Sequence, residues 1–514
     1  MAIESALPAG RPDSVDRVVI VGGGTAGWMT AAALAHKFAA TGVSIALVES
    51  AQIGTVGVGE ATLPHIRFFN QTIGIDEREL MARTQATFKL GIEFVGWGRA
   101  GESYIHPFGD YGPPASGGNG VPFHHLWARQ RMSGDAPRLC EYSLPVMMAE
   151  ADRYQMPDPD PHSVTSTFGY AYQFDAGLYA QYLAEVSQTR GVRRVEGKIT
   201  AHEFNKNGDV ASLSLENGER LAGDLFIDCS GFRGLLIEQA LQTGYEDWSH
   251  YLPANRAFAV PSEHSGAIGP YTRATARSAG WQWRIPLQHR VGNGIVYCSD
   301  YISDDEAVAT LLENLDGKAR GEPRQLFFKT GKRRKFWNRN VVAIGLSAGF
   351  LEPLESTSIH LIQQGITALV EMFPDPASLV ADAAEYNAIM DLEYDRVRDF
   401  LVLHYVANQR HGVPFWDDRR NMEWPASLKE KVDAFVAGGL LPTYDIGAFL
   451  PPSWLAVLVG QNIVPEGYDP RLQNVSAQEG ASQLEKWRLD VAQNVALMGD
   501  HENFLRSYCP GNPF

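Results

Sequence analysis

A strand-turn-helix-strand pattern near the start of the chain limits the possible folds more than any other feature. The apolar run 17–21 leads directly into Gly22-Gly23-Gly24-Thr25-Ala26-Gly27, and a helix-forming run follows at 28–34. A second apolar run, 44–48, ends at Glu49. A GxGxxG sequence by itself is weak evidence, but between a strand and a helix it predicts a nucleotide-binding βαβ unit. The sequence therefore predicts an α/β fold of the Rossmann type.

The residues of this turn suit a bound dinucleotide. Gly22 makes the tight turn, Gly24 lets the backbone approach a pyrophosphate, and Gly27 permits close packing of the helix against the strand. Thr25 and Ala26 of the turn are further predicted cofactor-binding residues, and the phosphates would sit on the N-terminus of the helix that follows. The glutamate that ends the second strand would accept hydrogen bonds from a ribose hydroxyl. These residues are the predicted dinucleotide site.

Size and composition are those of a globular protein. With 514 residues, 45% hydrophobic and 20% charged, the chain is long enough for two or more intergrown lobes. A formal charge of −16 argues against nucleic acid and anionic membranes as partners. No run resembles a membrane span or a signal peptide, and four cysteines without CxxC spacing suggest neither a zinc site nor disulfides. We expect a cytoplasmic protein whose residues 1–15 form a disordered leader.

Two later segments favour FAD over NAD. Residues 224–231 look like the strand and turn that return the chain to the nucleotide domain in flavoprotein hydroxylases. The apolar run 340–344 is another predicted buried strand, followed by Gly345 and Leu346. In those hydroxylases the equivalent strand usually ends in Gly-Asp, and the carboxylate holds the ribityl chain of the flavin. Leu346 in the place of that aspartate argues against an ordinary monooxygenase.

A helix is predicted to begin near residue 356. Its apolar residues follow helical spacing: Ile359, Ile362, Ile366, Leu369, Val370 and Phe373. Glu355, Ser356 and Thr357 therefore fall at the helix start, where they could act as a cap. Alternatively, the free N–H groups of Thr357 and Ser358 form a site for a small anion. A carboxylate beside that anion could serve as a general base or stabilise a developing cation.

Lys89 lies in an apolar context, in the segment Thr87-Phe88-Lys89-Leu90-Gly91-Ile92-Glu93-Phe94. Most lysines are solvated surface charges, and composition gives this one no special status. If it is buried, loss of hydration lowers the pKa of its amine and makes the amine available as a nucleophile or proton donor. Both interpretations are open from the residues alone.

The segment Trp281-Gln282-Trp283-Arg284-Ile285-Pro286 is predicted to be a strand that ends at its proline. Alternation places Trp281, Trp283 and Ile285 on one face of this strand. One interpretation is that the two tryptophans fill a core. The other is that they form a wall of large rings that keeps a substrate away from a flavin.

Five motifs, taken together and in this order, resemble the flavin-dependent tryptophan halogenase family. They are the glycine turn 22–27, Gly57-Val58-Gly59-Glu60-Ala61-Thr62, the Lys89 segment, the WxWxIP segment and Gly349-Phe350-Leu351-Glu352-Pro353-Leu354-Glu355-Ser356-Thr357. The resemblance runs from about residue 16 to the region 453–458. The combination of WxWxIP, the lysine and the EPLEST helix is specific, because other flavoproteins do not normally carry all three.

The resemblance implies a reaction. Reduced FAD (FADH2), supplied by a separate NADH-dependent flavin reductase, reacts with oxygen, and a halide bound near Thr357 and Ser358 is converted to hypohalous acid. The acid travels through the protein to Lys89, which holds it as a haloamine or by hydrogen bonding. An electron-rich arene is then halogenated, and Glu355 orients the oxidant or takes up the ring proton. Ser356 links the halide and substrate sites.

The resemblance also implies further site residues. Beyond the glycine turn and Glu49, residues from three other places would contact the FAD: Gly59, Glu60, Ala61, Leu346 and Ile359. Trp281 and Trp283 would shield the flavin from the substrate, so that hydroxylation does not compete. His106, Phe108 and Trp454 could sandwich the substrate ring, since stacking needs only flat faces. Each of these three residues could equally be ordinary core.

Two departures from the family pattern affect the predicted substrates. Ser358 stands where the family commonly has glycine, and its side chain would reshape the halide pocket, so the halide is bromide or chloride. Family members that act on free tryptophan hold its amino-acid group with paired tyrosines and a glutamate. The corresponding segment 441–450 has no paired tyrosine and no glutamate. We therefore expect indole or an indole derivative as the substrate.

The predicted architecture is an FAD-binding lobe over residues 16–372, discontinuous, with inserts 101–189 and 236–324 contributing to a largely helical substrate lobe. Residues 373–514 form the helical C-terminal part of that lobe. The Gly- and Pro-rich stretch 110–122 is predicted to be a mobile loop or lid. A homodimer is one expected assembly. Two other functions are open: a flavin-dependent aromatic monooxygenase and a non-catalytic flavin-binding protein.

Overall fold

A computed structural model describes residues 15–51, 59–113, 120–134, 136–374, 379–444 and 447–509. Nearly all of the predicted leader and the centre of the predicted lid lie outside these ranges. In the part of the chain that is described, no helix is long and apolar enough to cross a membrane.

The strands alternate with helices through the first part of the chain, and helices dominate the last part. The strands are β1 (Arg17–Val21), β2 (Ser44–Glu49), β3 (Gly59–Ala61), β4 (Thr87–Lys89), β5 (Gly91–Val95), β6 (Ser103–Pro107), β7 (Ala171–Asp175), β8 (Arg193–Glu196), β9 (Ile199–Phe204), β10 (Val210–Leu215), β11 (Arg220–Ala222), β12 (Leu225–Asp228), β13 (Tyr245–Asp247), β14 (Arg256–Ser262), β15 (Tyr271–Arg277), β16 (Gly280–Pro286), β17 (Val291–Tyr297), β18 (Arg324–Phe327), β19 (Gly331–Arg333), β20 (Trp337–Asn338), β21 (Val341–Ala343) and β22 (Gly349–Phe350). The helices are α1 (Thr25–Phe38), α2 (His65–Thr72), α3 (Glu77–Arg83), α4 (Phe123–Met132), α5 (Leu144–Glu150), α6 (Ala176–Thr189), α7 (Asp304–Glu313), α8 (Thr357–Glu371), α9 (Leu379–Val406), α10 (Pro414–Asn421), α11 (Ala426–Gly438), α12 (Pro451–Gly460), α13 (Ala477–Leu497) and α14 (His501–Tyr508).

A six-stranded sheet carries the glycine turn. Its order is β20-β21-β12-β1-β2-β8, and all neighbouring strands are parallel except β20 and β21. The strands β1, β2, β12 and β21 correspond to the apolar runs of the sequence, and β1, β12 and β21 are buried almost throughout, as expected for parallel strands covered on both faces. The α/β fold of the Rossmann type is confirmed. Helix α1 begins directly after the glycine turn and packs on this sheet.

The WxWxIP segment forms strand β16 of a seven-stranded sheet. Its order is β18-β14-β17-β16-β15-β5-β6, with only β15 and β5 parallel. Residues 236–324 therefore contribute several of its strands, whereas 373–509 are helical where described. The alternating burial of β15 is the period expected of a half-buried strand. The division of the chain into lobes stays a prediction.

A small sheet, β3-β7-β4, contacts β15, β16 and β17 of the seven-stranded sheet and carries Glu60 and Lys89. The Thr87 hydroxyl of β4 donates a hydrogen bond of 2.7 Å to the carbonyl of Pro286, the last residue of β16. This contact connects the lysine strand to the end of the WxWxIP strand. Helix α8 starts nearby and packs against α1, α2 and the long helix α9.

Candidate active site

A cavity of about 430 Å³ opens beside the glycine turn. Of the predicted cofactor-binding residues, all but Gly27 line it: Gly22, Gly24, Thr25, Ala26, Glu49, Gly59, Glu60, Ala61, Leu346 and Ile359. The cavity is more apolar than polar along its wall, which suits a large flat ring system with a polar tail. The structure thus brings together residues from five separate segments of the chain.

The glycines of the turn fit a bound dinucleotide. Gly22 has a φ of 109°, and a Cβ there would lie 2.4 Å from the carbonyl oxygen of Cys229. A Cβ on Gly27 would lie 1.9 Å from the Gly22 oxygen, so Gly27 serves helix packing and does not face the cavity. Gly24 differs: a Cβ there meets no atom of the described residues within 4 Å. Its open side faces the cavity at the start of α1, where a pyrophosphate binds.

Two carboxylates border the same cavity. Glu49, at the end of β2, accepts a hydrogen bond of 2.5 Å from Arg194 Nε and still lines the cavity. Glu60, on β3, has its pKa raised to about 7 because burial disfavours the charged form. Glu49 stands where a ribose would bind, and Glu60 stands on the opposite strand of the cavity as a readily protonated acid.

The two tryptophans of β16 are core residues and cavity residues at once. Trp281 is 2% exposed and Trp283 is 8% exposed, and their ring centroids are 6.0 Å apart. Both side chains, with Ile285, line the cavity beside the glycine turn. The core interpretation of this segment is thus compatible with a place for both residues in the cavity wall.

Lys89 is fully buried at the end of β4. Its Nζ donates hydrogen bonds to the Thr62 carbonyl, 3.0 Å away, and to Ser356 Oγ, 2.7 Å away. It also lies 5.0 Å from the centroid of the Phe108 ring. Burial lowers the pKa of Lys89 to about 7, partly offset by the negative charge of Glu355. The surface-charge interpretation is excluded, and the amine can exchange a proton near neutral pH.

The start of α8 is built from three consecutive hydroxyl residues. Ser356 precedes the helix in the left-handed conformation, with φ 60° and ψ 34°. Its hydroxyl makes no capping bond within the described chain and accepts from Lys89 instead. Thr357 Oγ1 is buried and has no partner among the described residues. Ser356 and Ser358 line the flavin-side cavity, so the uncapped N-terminus of α8 is available to an anion there.

Glu355 is held by two histidines. His106 Nδ1 lies 2.8 and 3.0 Å from the two carboxylate oxygens, and His404 Nε2 lies 2.8 Å from Oε1. All three side chains are at most 1% exposed. Burial alone would raise the pKa of Glu355, but the two histidines outweigh it and lower that pKa to about 2. Glu355 is therefore an ionised carboxylate, and both of its oxygens lie beside histidine ring nitrogens.

Aromatic rings surround His106, and neither His106 nor these rings line the cavity beside the glycine turn. The hairpin of β5 and β6 places His106 and, just after it, Phe108 near the lysine. The centroids of Phe108, Phe400 and Phe449 lie 6.4, 5.7 and 6.2 Å from the His106 ring. Trp454 packs one ring further out, against Phe400 at 5.1 Å. The structure thus joins His106 and Phe108 to Lys89, while Trp454 contacts them through Phe400.

Comparisons with known proteins agree on one family. The family model described as tryptophan halogenase matches residues 17–477. The chain belongs to the tryptophan halogenase family. It is 37% identical to a tryptophan 6-halogenase, SttH, of Streptomyces toxytricini, over 87% of this chain and 90% of that one. It is similar in structure to two flavin-dependent halogenases, BrvH of Brevundimonas sp. BAL3 and Xcc4156 of Xanthomonas campestris. Both are 44% identical, with TM-scores of 0.93 and 0.92, covering 97% and 98% of this chain and 100% of each relative.

Membership of this halogenase family settles the class of enzyme. The chain is a flavin-dependent halogenase that uses FADH2 and a halide. Enzymes of this family need a separate flavin reductase and an aromatic substrate. The residues around the cavity fit the flavin, because the glycine turn leaves its open side where a pyrophosphate binds and the tryptophans provide an apolar wall.

Several residues of the halogenase site carry no signal in the sequence. His404 lies in the last turn of α9 among apolar residues and reaches Glu355 only because α9 packs on α8. Thr62 contributes its backbone carbonyl, which no sequence pattern marks. Phe400 and Phe449 are buried phenylalanines that the sequence does not distinguish from ordinary core residues. Glu352 could have been noticed in the sequence, because it is a second glutamate in the EPLE turn. The structure buries it fully.

Proposed function

We propose that this halogenase acts on indole or an indole-type arene, and that hypohalous acid passes from the flavin-side cavity to Lys89. The observation that carries the proposal is the hydrogen bond between Lys89 Nζ and Ser356 Oγ, 2.7 Å long, because Ser356 also lines the cavity. One side chain therefore borders both the place where the oxidant forms and the buried amine that receives it.

Each part of the cavity has a proposed role in holding the reduced flavin. The glycine turn with Thr25 and Ala26 holds the pyrophosphate, Glu49 the ribose, and Leu346 with Ile359 the flavin end. When bound, reduced FAD supplies the activation of oxygen. The rings of Trp281 and Trp283, which are buried, packed together and line this cavity, have the proposed role of keeping the arene out of it.

We place the halide at the start of α8. The N–H groups of Thr357 and Ser358 lie at the N-terminus of a 15-residue helix, whose dipole favours an anion. Ser356 makes no capping bond at this end, because its backbone is left-handed and not extended as in a usual N-cap residue, and its hydroxyl accepts from Lys89. The orphaned hydroxyl of Thr357 is a further donor for the halide.

Lys89 is proposed to hold the oxidant, as a haloamine or by hydrogen bonding. A pKa near 7 means that the amine is available without a large cost in free energy at neutral pH. The arene stacks against Phe108 and His106, neither of which lines the flavin-side cavity. Glu355 fixes the orientation of His106. Trp454 supports this site through Phe400.

Indole is favoured over free tryptophan as the substrate. The relatives named tryptophan halogenases act on an amino acid, whose charged groups need polar partners. In this chain, segment 441–450 supplies no paired tyrosines and no glutamate for that purpose. Phe449 of this segment instead stacks on Phe400 at 3.8 Å. An apolar surface of this kind suits an indole ring without the amino-acid group.

We further propose a cytoplasmic enzyme fed by a separate NADH-dependent reductase, and a homodimer as its assembly. The four cysteines, all within the described ranges, are unpaired, as in reducing compartments.

Val380, Ile389 and Leu392 of α9 are exposed apolar residues that a second copy could cover in the proposed homodimer. Light scattering tests the dimer: a monomeric mass at micromolar concentration would contradict it.

A direct assay tests the proposed reaction. The protein is incubated with FAD, a flavin reductase, NADH, oxygen and bromide or chloride, together with either indole or L-tryptophan, and the products are analysed by mass spectrometry. We expect haloindole. Product from tryptophan alone would overturn the substrate proposal, an added oxygen would indicate a monooxygenase, and no product from a broad panel of arenes would indicate a non-catalytic flavin protein.

A further inference from the structure

We propose that Arg233 binds the diphosphate of FAD at the rim of the flavin-side cavity, and that its positive charge speeds capture of the cofactor from solution. The inference rests on the proposed position of FAD in this cavity. It adds a cation to a set of proposed cofactor contacts that contains two carboxylates and no positive side chain.

The turn that carries Arg233 lies beside the glycine turn. Strands β1 and β12 are parallel neighbours, with Val21 opposite Asp228, so the chain leaves both strands at the same edge of the sheet. A Cβ on Gly22 would lie 2.4 Å from the carbonyl oxygen of Cys229, the first residue after β12. Arg233 follows in the same turn and lines the same cavity as Gly22. Nucleotides bind outside this edge of a parallel sheet.

Hydrogen bonds hold the backbone of this turn. The Asp228 carboxylate accepts from Ser230 Oγ at 2.6 Å and from the Leu236 N–H at 2.7 Å. Ser230 Oγ accepts in turn from the Leu235 N–H at 2.7 Å. These bonds tie the chain together on both sides of Arg233. A cation that projects from a fixed backbone loses less conformational freedom when it binds a ligand.

The guanidinium group of Arg233 is free to bind a ligand. It is exposed, and it makes no hydrogen bond or ion pair with another residue that the structure describes. Within that part of the chain, the charged residues of the cavity wall are Glu49, Glu60, Lys198 and Arg233. Lys198 belongs to the Glu49 end, because the neighbouring Gly197 N–H donates to the Glu49 carbonyl at 2.9 Å. Arg233 is therefore the cation beside the glycine turn.

The charge of the whole molecule opposes binding of FAD. The chain has a formal charge of −16, and the FAD diphosphate is itself negative. A positive charge at the rim offsets this repulsion within a screening length of about 8 Å at physiological ionic strength. The planar guanidinium can also hold phosphate oxygens in pairs. Because the reduced cofactor comes from a separate reductase and reacts with oxygen in solution, rapid capture limits its loss.

Phe232, the residue before Arg233, provides a contact of a different kind. Its side chain is 43% exposed and lines the cavity, and its ring centroid lies 5.4 Å from that of Phe350. The turn also packs against Gly345–Ser347, at the proposed flavin end of the cavity. An exposed ring suits the flat flavin, whereas a cation suits phosphate. The two neighbours should therefore respond differently to ligands with and without phosphate.

FAD and riboflavin separate these contacts, since riboflavin has the flavin ring and no phosphate. In Arg233→Gln we expect the Kd for FAD to rise by about tenfold or more, and the Kd for riboflavin to stay unchanged, as measured by flavin fluorescence. In stopped-flow mixing at low salt, the association rate for FAD should fall several-fold. Addition of about 0.5 M NaCl should remove most of that difference in rate.

Three further variants serve as controls. Phe232→Leu should raise the Kd for FAD and for riboflavin by similar factors. Arg233→Lys keeps the charge and loses the planar fork, so it should keep the association rate and show an intermediate Kd for FAD. Arg334→Gln removes an exposed arginine that does not line the cavity, and should bind both flavins as the wild type does.

Failure of the flavin site and failure of the Arg233 assignment give different results. A wild type that binds no FAD would contradict the position of the flavin site. If the wild type binds FAD, then Arg233→Gln with an unchanged Kd for FAD, or with equal losses for FAD and riboflavin, would overturn the assignment of Arg233 to the diphosphate. Circular dichroism and Tm check the fold, and Arg233→Met replaces Arg233→Gln if the latter does not fold.

Discussion

Lys89 Nζ donates a 2.7 Å hydrogen bond to Ser356 Oγ, and this contact joins the end of β4 to the residue immediately before α8. Ser356 also faces the flavin-side cavity, whereas Lys89 does not line it. On the proposed route the oxidant passes this one hydroxyl group to reach the amine. The same hydroxyl makes no capping bond to α8, and the proposed halide site is the helix N-terminus that it leaves uncapped.

Lys89→Met should separate formation of the oxidant from its use. Methionine keeps most of the buried aliphatic stem and removes the amine, so haloindole should fall by about 10²-fold or more while reduced flavin is still reoxidised by oxygen. Flavin absorbance and product mass measure the two rates in the same mixture. Lys429→Met, at a lysine that is 62% exposed on α11, is the control. If Lys89→Met kept most of its product formation, the assigned role would be wrong.

Ser358→Gly should change the halide preference. The side chain of Ser358 lines the cavity at the first turn of α8, where it competes for space over the N–H groups. Chloride is more strongly hydrated than bromide and depends more on these donors to offset desolvation. We expect the KM for chloride to fall several-fold more than the KM for bromide. Competition between the two halides, with products quantified by mass spectrometry, measures the ratio, and an unchanged ratio would place the halide elsewhere.

Gly24→Ala should weaken flavin binding without destabilising the fold. Its Cβ would meet no atom within 4 Å in the described structure, but it would project toward the cavity where the pyrophosphate binds. We expect the Kd for FAD to rise by about tenfold or more, which corresponds to about 1.4 kcal/mol. The Tm without FAD should change no more than it does for an ordinary surface substitution. Gly438→Ala, equally free of contacts within the described residues but on α11, should leave the Kd unchanged.

Gly23→Ala makes the complementary test. A Cβ on Gly23 would lie 1.5 Å from Glu49 Oε2, so the Glu49 side chain would have to move away from its position beside Arg194. We expect weaker FAD binding together with a lower Tm, in contrast to Gly24→Ala. Thermal unfolding with and without FAD distinguishes the two variants. Equal behaviour of both would mean that the turn is arranged differently from the structure.

The parts of the site that could be predicted from the sequence depend on local patterns. The glycine turn is one such part. Its glycines and the apolar runs on either side determine the turn conformation, the strand before it and the helix after it. The EPLEST segment is another, since helical spacing locates the start of α8 to within a residue. The resemblance to the family then related Lys89 and the tryptophans to a reaction.

The contacts around Glu355 could not be predicted from local patterns. His106 comes from a hairpin, Glu355 from a turn and His404 from the last turn of a long helix, and only the packing of these elements brings them together. For the same reason the sequence allowed Glu355 to be interpreted as a general base or as part of a helix cap. In the structure two histidine rings contact its carboxylate. Helical spacing also could not show that Phe400 and Phe449 stack beside His106.

The last prediction concerns Glu352, whose carboxyl group is fully buried with Trp281 and Tyr405 as neighbours. Burial raises the pKa of Glu352 to about 7, partly offset by these two neighbours. Between the ordinary carboxyl pKa and pH 7, the folded protein keeps a proton that the unfolded chain releases. The free energy of unfolding therefore falls as pH rises through this window, by about 3 kcal/mol from this group alone, and is level above it. Glu352→Gln, which cannot ionise, should lack this component.

Urea unfolding at pH 5, 6, 7 and 8 measures the effect as the difference between Glu352→Gln and the wild type. We expect the variant to gain stability relative to the wild type as pH rises, because the wild type has to bury a charge or hold a proton and the variant does neither. Glu60, whose pKa is also raised to about 7, is present in both proteins and cancels in the difference. Glu371→Gln, at an exposed residue that ends α8, is the control and should run parallel to the wild type. A Glu352→Gln curve parallel to the wild type would mean that Glu352 is ionised throughout, held by Trp281 and Tyr405.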